Sequence, residues 1–160
     1  MKKIRLNIED LFDVPTAVIY SPDEFKEVTN VTIDSRNVKK NSLYVAIKGE
    51  RFDGHDFVKS AIKNGASAVV VNKKKLADFD EINVPIITVK DTTKALGNIA
   101  KIWRKKLSAK VIAITGSSGK TTVKDMLADL LSEKYSVSKT YKNNNNHIGV
   151  PLKILNTKEK

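Results

Sequence analysis

The chain has 160 residues, no cysteine, 41% apolar residues, and 29 Lys and Arg against 18 Asp and Glu. Such a length and composition fit one domain or two small ones with a real core, and exclude a disordered chain, disulfides, thiolate metal sites and a cysteine nucleophile. Charge is divided unevenly: residues 1–91 carry 15 basic and 14 acidic side chains, whereas residues 92–160 carry 14 and 4. The second part therefore calls for an anionic partner, nucleic acid or a phosphorylated small molecule, or for counter-charges lying elsewhere.

Arg5, Asn7, Glu9 and Asp10 interrupt any signal-like segment behind Met1-Lys2-Lys3, and the apolar runs are too short to span a bilayer. A soluble, cytoplasmic protein without membrane insertion is expected. Val31 to Ile33 is a short strand, and Ser42 to Ile47 places Leu43, Val45 and Ile47 on one face of another. A helix follows from about Asp56, with Phe57, Ala61 and Ile62 inward and Gly65 as its left-handed stop. Lys73-Lys74-Lys75 reads as a solvated loop between two buried strands, Ala68 to Val71 and Ile86 to Val89. This alternation predicts an α/β domain over residues 1–91.

A connecting helix is expected over residues 92–108, capped by Thr92 or Thr93. Leu96, Ile99, Ala100, Trp103 and Leu107 form its apolar stripe, so Trp103 belongs to the core. Arg104-Lys105-Lys106 closes it as cations at the negative end of the dipole. A second unit spans 109–160. It opens with a buried strand, Val111 to Ile114, a Gly/Ser turn, and an amphipathic helix carrying Val123, Met126, Leu127, Leu130 and Leu131.

The turn reads Thr115-Gly116-Ser117-Ser118-Gly119-Lys120-Thr121-Thr122. Its glycines let main-chain N–H groups converge on an anion, and the following helix adds unpaired amides and a positive dipole end. Lys120 would reach the β- and γ-phosphates of ATP, and the Thr121 hydroxyl would ligate Mg²⁺. One element of the usual pattern is absent: the first glycine position is Ile114. A merely structural turn is the competing reading.

This compressed loop resembles the ATP loop of the Mur ligases, the ATP-dependent amide-forming enzymes of peptidoglycan assembly. Asp34-Ser35-Arg36, Gly49 and Asp53-Gly54-His55-Asp56-Phe57 look like the family's N-terminal uridine-nucleotide domain. The run from Asn143 to Leu152 resembles the Asn-rich segment of its dipeptide-adding branch. The resemblance implies a mixed α/β substrate domain followed by the start of a P-loop α/β ATPase domain. It also implies a ligase that activates a carboxylate as an acyl phosphate. The cofactors would be ATP and Mg²⁺, and the partners UDP-N-acetylmuramoyl-tripeptide and D-alanyl-D-alanine.

On this reading Gly116, Ser117, Ser118, Gly119, Lys120, Thr121 and Thr122 hold ATP, with Lys120 catalytic. Asp34, Ser35, Arg36, Gly49, His55, Asn145 and Asn146 face the substrate. Plain alternatives stand beside each: Asp34 as a turn cap, His55 as a helix-start residue, the Asn run as an exposed turn. His147 stands where the family often has an acidic or amide residue. The family's later carboxylate strand and third domain have no counterpart here, so the 160 residues are expected not to catalyse ligation alone. A stand-alone nucleotide-binding module and the related ligase adding the third peptide residue are the alternatives. No aromatic platform or recognition motif supports nucleic-acid binding.

Overall fold

Successive residues in three central segments send apolar side chains to opposite sides, and this alternation builds the sheet around which the chain folds. A computed structural model of the chain describes residues 4–140 and 146–157. Its strands are β1 (Val18–Tyr20), β2 (Asn30–Thr32), β3 (Ser42–Val45), β4 (Ala66–Asn72) and β5 (Ile86–Val89), in the spatial order β1-β5-β4-β3-β2. β2 to β5 run parallel, and β1 pairs antiparallel with β5 at one edge. Leu43, Val45, Ala68, Val70, Ile87 and Val89 enter one core, whereas Tyr44, Ala46, Val69, Val71 and Ile86 enter the other. Burial on both faces is why these strands read as unbroken apolar runs.

The first core is closed by Leu11 of α1 (Ile8–Phe12), by Leu96, Ile99 and Trp103 of α3 (Thr92–Lys105), and by Leu155 of α5 (Gly149–Leu155). The second is closed by Val58 and Ala61 of α2 (Val58–Lys63) and by Phe79, at the end of a 3-10 stretch over Lys73–Phe79. The expected α/β class is the one observed. The periodicity of α3 is realised in full: Leu96, Ile99, Ala100 and Trp103 are all buried. Its cap is Asp91 and neither threonine, because the Asp91 carboxylate accepts from the amides of Thr93 and Lys94 at 2.9 and 3.0 Å. At its other end Arg104 donates to the carbonyls of Leu107 and Ala109, and Lys106 pairs with Asp10 of α1 at 2.6 Å.

Several expectations are corrected. Phe57 does not point inward: Gly54–Phe57 is a 3-10 turn with a three-residue repeat, so Phe57 lies 40% exposed against the edge of Phe52, and Val58 takes the core position. Gly65 does end the helix region, at φ 109°. Val111 to Ile114 is no strand, and Val111 and Ile112 are 66% and 59% exposed. A strand exists through its ladder partner, and none lies beside this segment among the described residues.

The amphipathic helix forms as α4 (Lys120–Ser132), yet Val123, Met126 and Leu130 are exposed. No strand follows it among the described residues. Instead Lys139 pairs with Asp125 at 3.0 Å, and Lys124 donates to the Thr140 carbonyl at 3.0 Å, laying that segment along α4. β1, α1 and α5 had no distinct sequence signal, since each is short and finds its apolar partner across the fold.

Candidate functional site

Because β2 to β5 are parallel, the turns after all four strands emerge at one edge of the sheet, where open α/β sheets place ligands. After β2 comes the 3-10 turn Ser35–Asn37, capped by Asp34. The Asp34 carboxylate accepts from the Arg36 amide at 3.0 Å, from Arg36 Nε and Nη2 at 2.9 and 2.8 Å, and from Asn37 Nδ2 at 3.1 Å. The Arg36 side-chain bonds, reinforced by its amide, hold the Asp34 carboxyl down at about 2. Asp34 therefore does cap its turn, and Arg36 projects from it with its side chain 86% exposed. Ser35 is buried, its carbonyl accepting from Asn64 Nδ2 at 2.8 Å.

After β3 a tight hairpin closes where Lys48 bridges to Asp53, with the Gly49 amide donating to the Phe52 carbonyl at 2.9 Å. A Cβ on Gly49 would stand 3.3 Å from that carbonyl oxygen; one on Gly54 would stand 2.7 Å from the Ile47 nitrogen, so Gly54 has no substitute without backbone movement. Tyr44 donates its hydroxyl to the Gly54 carbonyl at 2.8 Å. Burial, with the Asp34 and Asp53 charges nearby, pushes that phenol up to about 12. His55 is buried, and both ring nitrogens are engaged: Nδ1 contacts Asp53 Oδ1, and Nε2 accepts from the Asn72 amide at 2.9 Å. Nε2 as acceptor requires Nδ1 to carry the proton in the neutral ring. Burial raises the Asp53 carboxyl, and the His55 amide and ring bonds outweigh it, so its pKa is lowered.

Between the ends of β3, β4, β5 and the start of α3 lies an open cleft of about 400 Å³, whose charged lining includes Lys48, Asp53, Lys74, Lys75, Lys90 and Asp91. The Lys74 and Lys75 stretch, expected to be a solvated loop, is thus a wall of this cleft. A second groove of about 610 Å³ shares Asp91 and Thr93 and continues between α3 and α5 to His147 and Pro151. Asn146 borders His147, and its Oδ1 accepts from the amides of Ile148 and Gly149 at 3.1 and 2.7 Å, the competing turn role. Asn145 lies outside the described residues.

The glycine loop lies further along the sequence and lines neither of these two grooves. Gly116 and Gly119 adopt φ of 152° and 74°, and α4 starts at Lys120 directly behind them. Lys120 Nζ donates to the carbonyls of Gly116 and, at 3.5 Å, Ser117, folding the ammonium over the loop. Ser117, Ser118, Thr121 and Thr122 are exposed around it. No group of three or more His, Cys, Asp or Glu that could hold a metal exists among the described residues. Thr121 offers one exposed hydroxyl, a donor set that suits a Mg²⁺ held mainly by phosphate oxygens and water.

The residues singled out from the sequence fall at two places in the structure, the loop after β2 with the hairpin after β3, and the glycine loop. Lys48, Asn72, Lys90 and Asp91, which line the first cleft, were not among them. Their signal was positional: each follows or ends a parallel strand.

Comparison with known proteins adds the following. The family model "Mur ligase family, catalytic domain" matches residues 27–104, and "Mur ligase middle domain" matches residues 114–160. A UDP-N-acetylmuramoyl-tripeptide–D-alanyl-D-alanine ligase from Haemophilus influenzae is 44% identical over 142 residues, covering 86% of this chain and 30% of that protein. A crystal structure of MurF from Acinetobacter baumannii superposes with a TM-score of 0.83 at 31% identity, covering 99% of this chain and 34% of that one. The MurF ligase from Thermotoga maritima in complex with ADP gives 0.70 at 38% identity, over 81% of this chain and 29% of that one. The chain spans about a third of the length of the curated relatives it matches.

Proposed function

The chain belongs to the Mur ligase family, and from that premise we propose that it supplies the uridine-nucleotide site and the ATP loop of a ligase adding D-alanyl-D-alanine to UDP-N-acetylmuramoyl-tripeptide. The observation that carries this reading is the loop from Thr115 to Thr122, where left-handed Gly116 and Gly119 lead straight into Lys120 at the start of α4. The names of the relatives across nearly the whole chain support the dipeptide-adding branch.

In this reading ATP phosphorylates the substrate carboxylate, and the amine of D-alanyl-D-alanine then displaces phosphate to form the amide. The chain's own residues prepare that transfer. Loop amides and the α4 dipole hold the phosphates, and Lys120 turns from the Gly116 and Ser117 carbonyls towards the β- and γ-oxygens. Thr121 and the exposed hydroxyls beside it complete the loop, with Thr121 the residue that would hold Mg²⁺. At the other site Ser35, Arg36 and the hairpin from Gly49 receive the uridine nucleotide. His55, with both nitrogens engaged, orders that hairpin against β4, and Asn146 shapes the start of α5 at the groove. Among the described residues no helix is long and apolar enough to cross a membrane; a cytoplasmic setting matches the use of ATP.

Lys120→Ala is expected to weaken ATP binding by roughly tenfold to a hundredfold, the worth of a charge-assisted phosphate contact, with an unchanged circular dichroism spectrum. Calorimetric titration of both proteins with Mg-ATP checks this, and equal affinities would refute the assignment of the loop.

A further inference from the structure

His55 is buried, touches no reacting group in the chemistry proposed above, and has both ring nitrogens engaged. The two engagements are of opposite kind. Nδ1 meets the Asp53 carboxylate, which only accepts, so Nδ1 carries a proton. Nε2 accepts from the Asn72 amide at 2.9 Å, which leaves no room for a proton there. Burial raises the Asp53 carboxyl, but the His55 amide and ring bonds lower it further, so it remains an acceptor in mild acid.

The bond to Asn72 has a particular place in the sheet. β3 pairs with β4 as far as Val45 opposite Val70, and the Ala46 amide then donates to the Val70 carbonyl at 2.9 Å. Asn72 lies beyond that point, where the chain after β3 has turned away into the hairpin. There His55 Nε2 supplies the acceptor that a strand carbonyl would otherwise provide. Among the described residues this is the one hydrogen bond from the turn Gly54–Phe57 to β4. Towards β3 the turn is held differently, by the Gly54 amide on the Ile47 carbonyl at 2.9 Å and by the Tyr44 hydroxyl on the Gly54 carbonyl at 2.8 Å. Asn72 is itself a junction, since its side chain accepts from the Lys74 amide and donates to the Lys90 carbonyl, each at 3.0 Å.

We propose that His55 is an acid-sensitive latch: neutral, it fastens the hairpin after β3 to the end of β4, and a second ring proton releases it. That proton can go only to Nε2, which then turns an N–H towards the N–H of Asn72. Two donors face each other at a buried site, and the amide is left without its acceptor. The contact with Asp53 survives, because Nδ1 donates in both forms. The charged and titratable groups around the ring are Asp53 of its own turn, Lys48 of the hairpin, Lys74 and Lys75 beyond β4, Lys90 and Asp91 beyond β5, and Tyr44 of β3. Four lysines outnumber two carboxylates, and Asp91 is occupied in capping α3, so an imidazolium gains by turning out towards water. The latched state therefore binds one proton fewer than the released one, and latching is lost as the pH falls. Release is local, since the turn keeps its two bonds on the β3 side. The latch goes beyond the uridine-nucleotide reading and requires no ligand.

The test is amide hydrogen exchange of the whole chain, without nucleotide, at a series of pH values, each rate divided by the intrinsic rate at that pH. The carbon-bound ring protons of His55, followed by NMR, report its charge over the same series. Protection of the Asn72 amide is expected to fall by roughly tenfold per pH unit as the ring takes up its proton, the slope of one proton gained on release. The Ala46 and Val69 amides, bonded to the Val70 and Pro85 carbonyls, are expected to keep their protection. His55→Gln, whose side-chain oxygen accepts from Asn72 without titrating, is expected to hold Asn72 protection constant across the series. Were that variant not to fold, the wild-type series decides alone. Constant protection of Asn72 in wild type would overturn the latch, as would an acid loss shared by Ala46 and Val69, or one of equal slope in His55→Gln. Each of these results would leave the uridine-nucleotide site standing.

Discussion

At Asp34 a single carboxylate serves its turn twice, accepting from the Arg36 amide and from the Arg36 guanidinium. The folded carboxyl sits at about 2 against 3.8 for the free group, so the unfolded chain binds its proton more readily. The stability this group contributes is complete above about pH 4 and is lost as the pH falls towards 2. Asp34→Asn is therefore expected to lower stability slightly at neutral pH and to make its loss across that window shallower by the same small amount, small because solvent screens so exposed a pair. Urea unfolding at a series of acidic pH values checks it, and an acid limb as steep as that of wild type would contradict the cause given for the shift. The cap was legible in Asp34-Ser35-Arg36, since an Asx turn needs only residues two or three apart. The role of His55 was not, because its second partner, the amide of Asn72, lies seventeen positions away and meets it only when β3 and β4 pair.

Two helices with the same kind of apolar spacing meet different fates. In α3 the stripe of Leu96, Ile99 and Trp103 lies on the sheet, whereas in α4 Val123, Met126 and Leu130 face outward. Periodicity states which side of a helix is apolar; whether that side is covered depends on what stands opposite. Leu96→Ala is expected to cost about 2–5 kcal/mol through the cavity it leaves, and Leu130→Ala to change stability by less than about 0.5 kcal/mol. Urea unfolding of the two variants separates them, and comparable losses would mean that α4 is packed as α3 is. The same logic explains Val111 to Ile114: four apolar residues in a row have strand character, but no neighbouring strand among the described residues completes a ladder.

Across the whole molecule, chain order and packing order diverge at the C-terminal end. α5 follows the glycine loop in sequence, yet it packs on α3 and β2, and Leu155 is buried in the same core as Trp103. Leu155→Ala is expected to lower stability by about 2–5 kcal/mol. The loss should appear in the fluorescence transition of Trp103, the only tryptophan; an unchanged transition would show α5 to be energetically separate from the sheet. Charge behaves similarly. Counted by segment, the surplus of cations lies beyond residue 91. In space, Arg104, Lys106, Lys124 and Lys139 of that segment are tied to carbonyls and carboxylates. Meanwhile Lys48, Lys74 and Lys90 of the nearly neutral first part line one cleft, with no side-chain partner among the described residues.

Local information was enough for the α/β class, the three central strands, the stripe of α3 and the glycine loop, because each depends on residues no more than about four apart acting through backbone periodicity or a single turn. The cleft, the engagement of His55, the exposure of α4 and the return of α5 all depend on which distant segments become neighbours. That choice is made only when parallel strands bring their ends to one edge and two apolar faces find their covers.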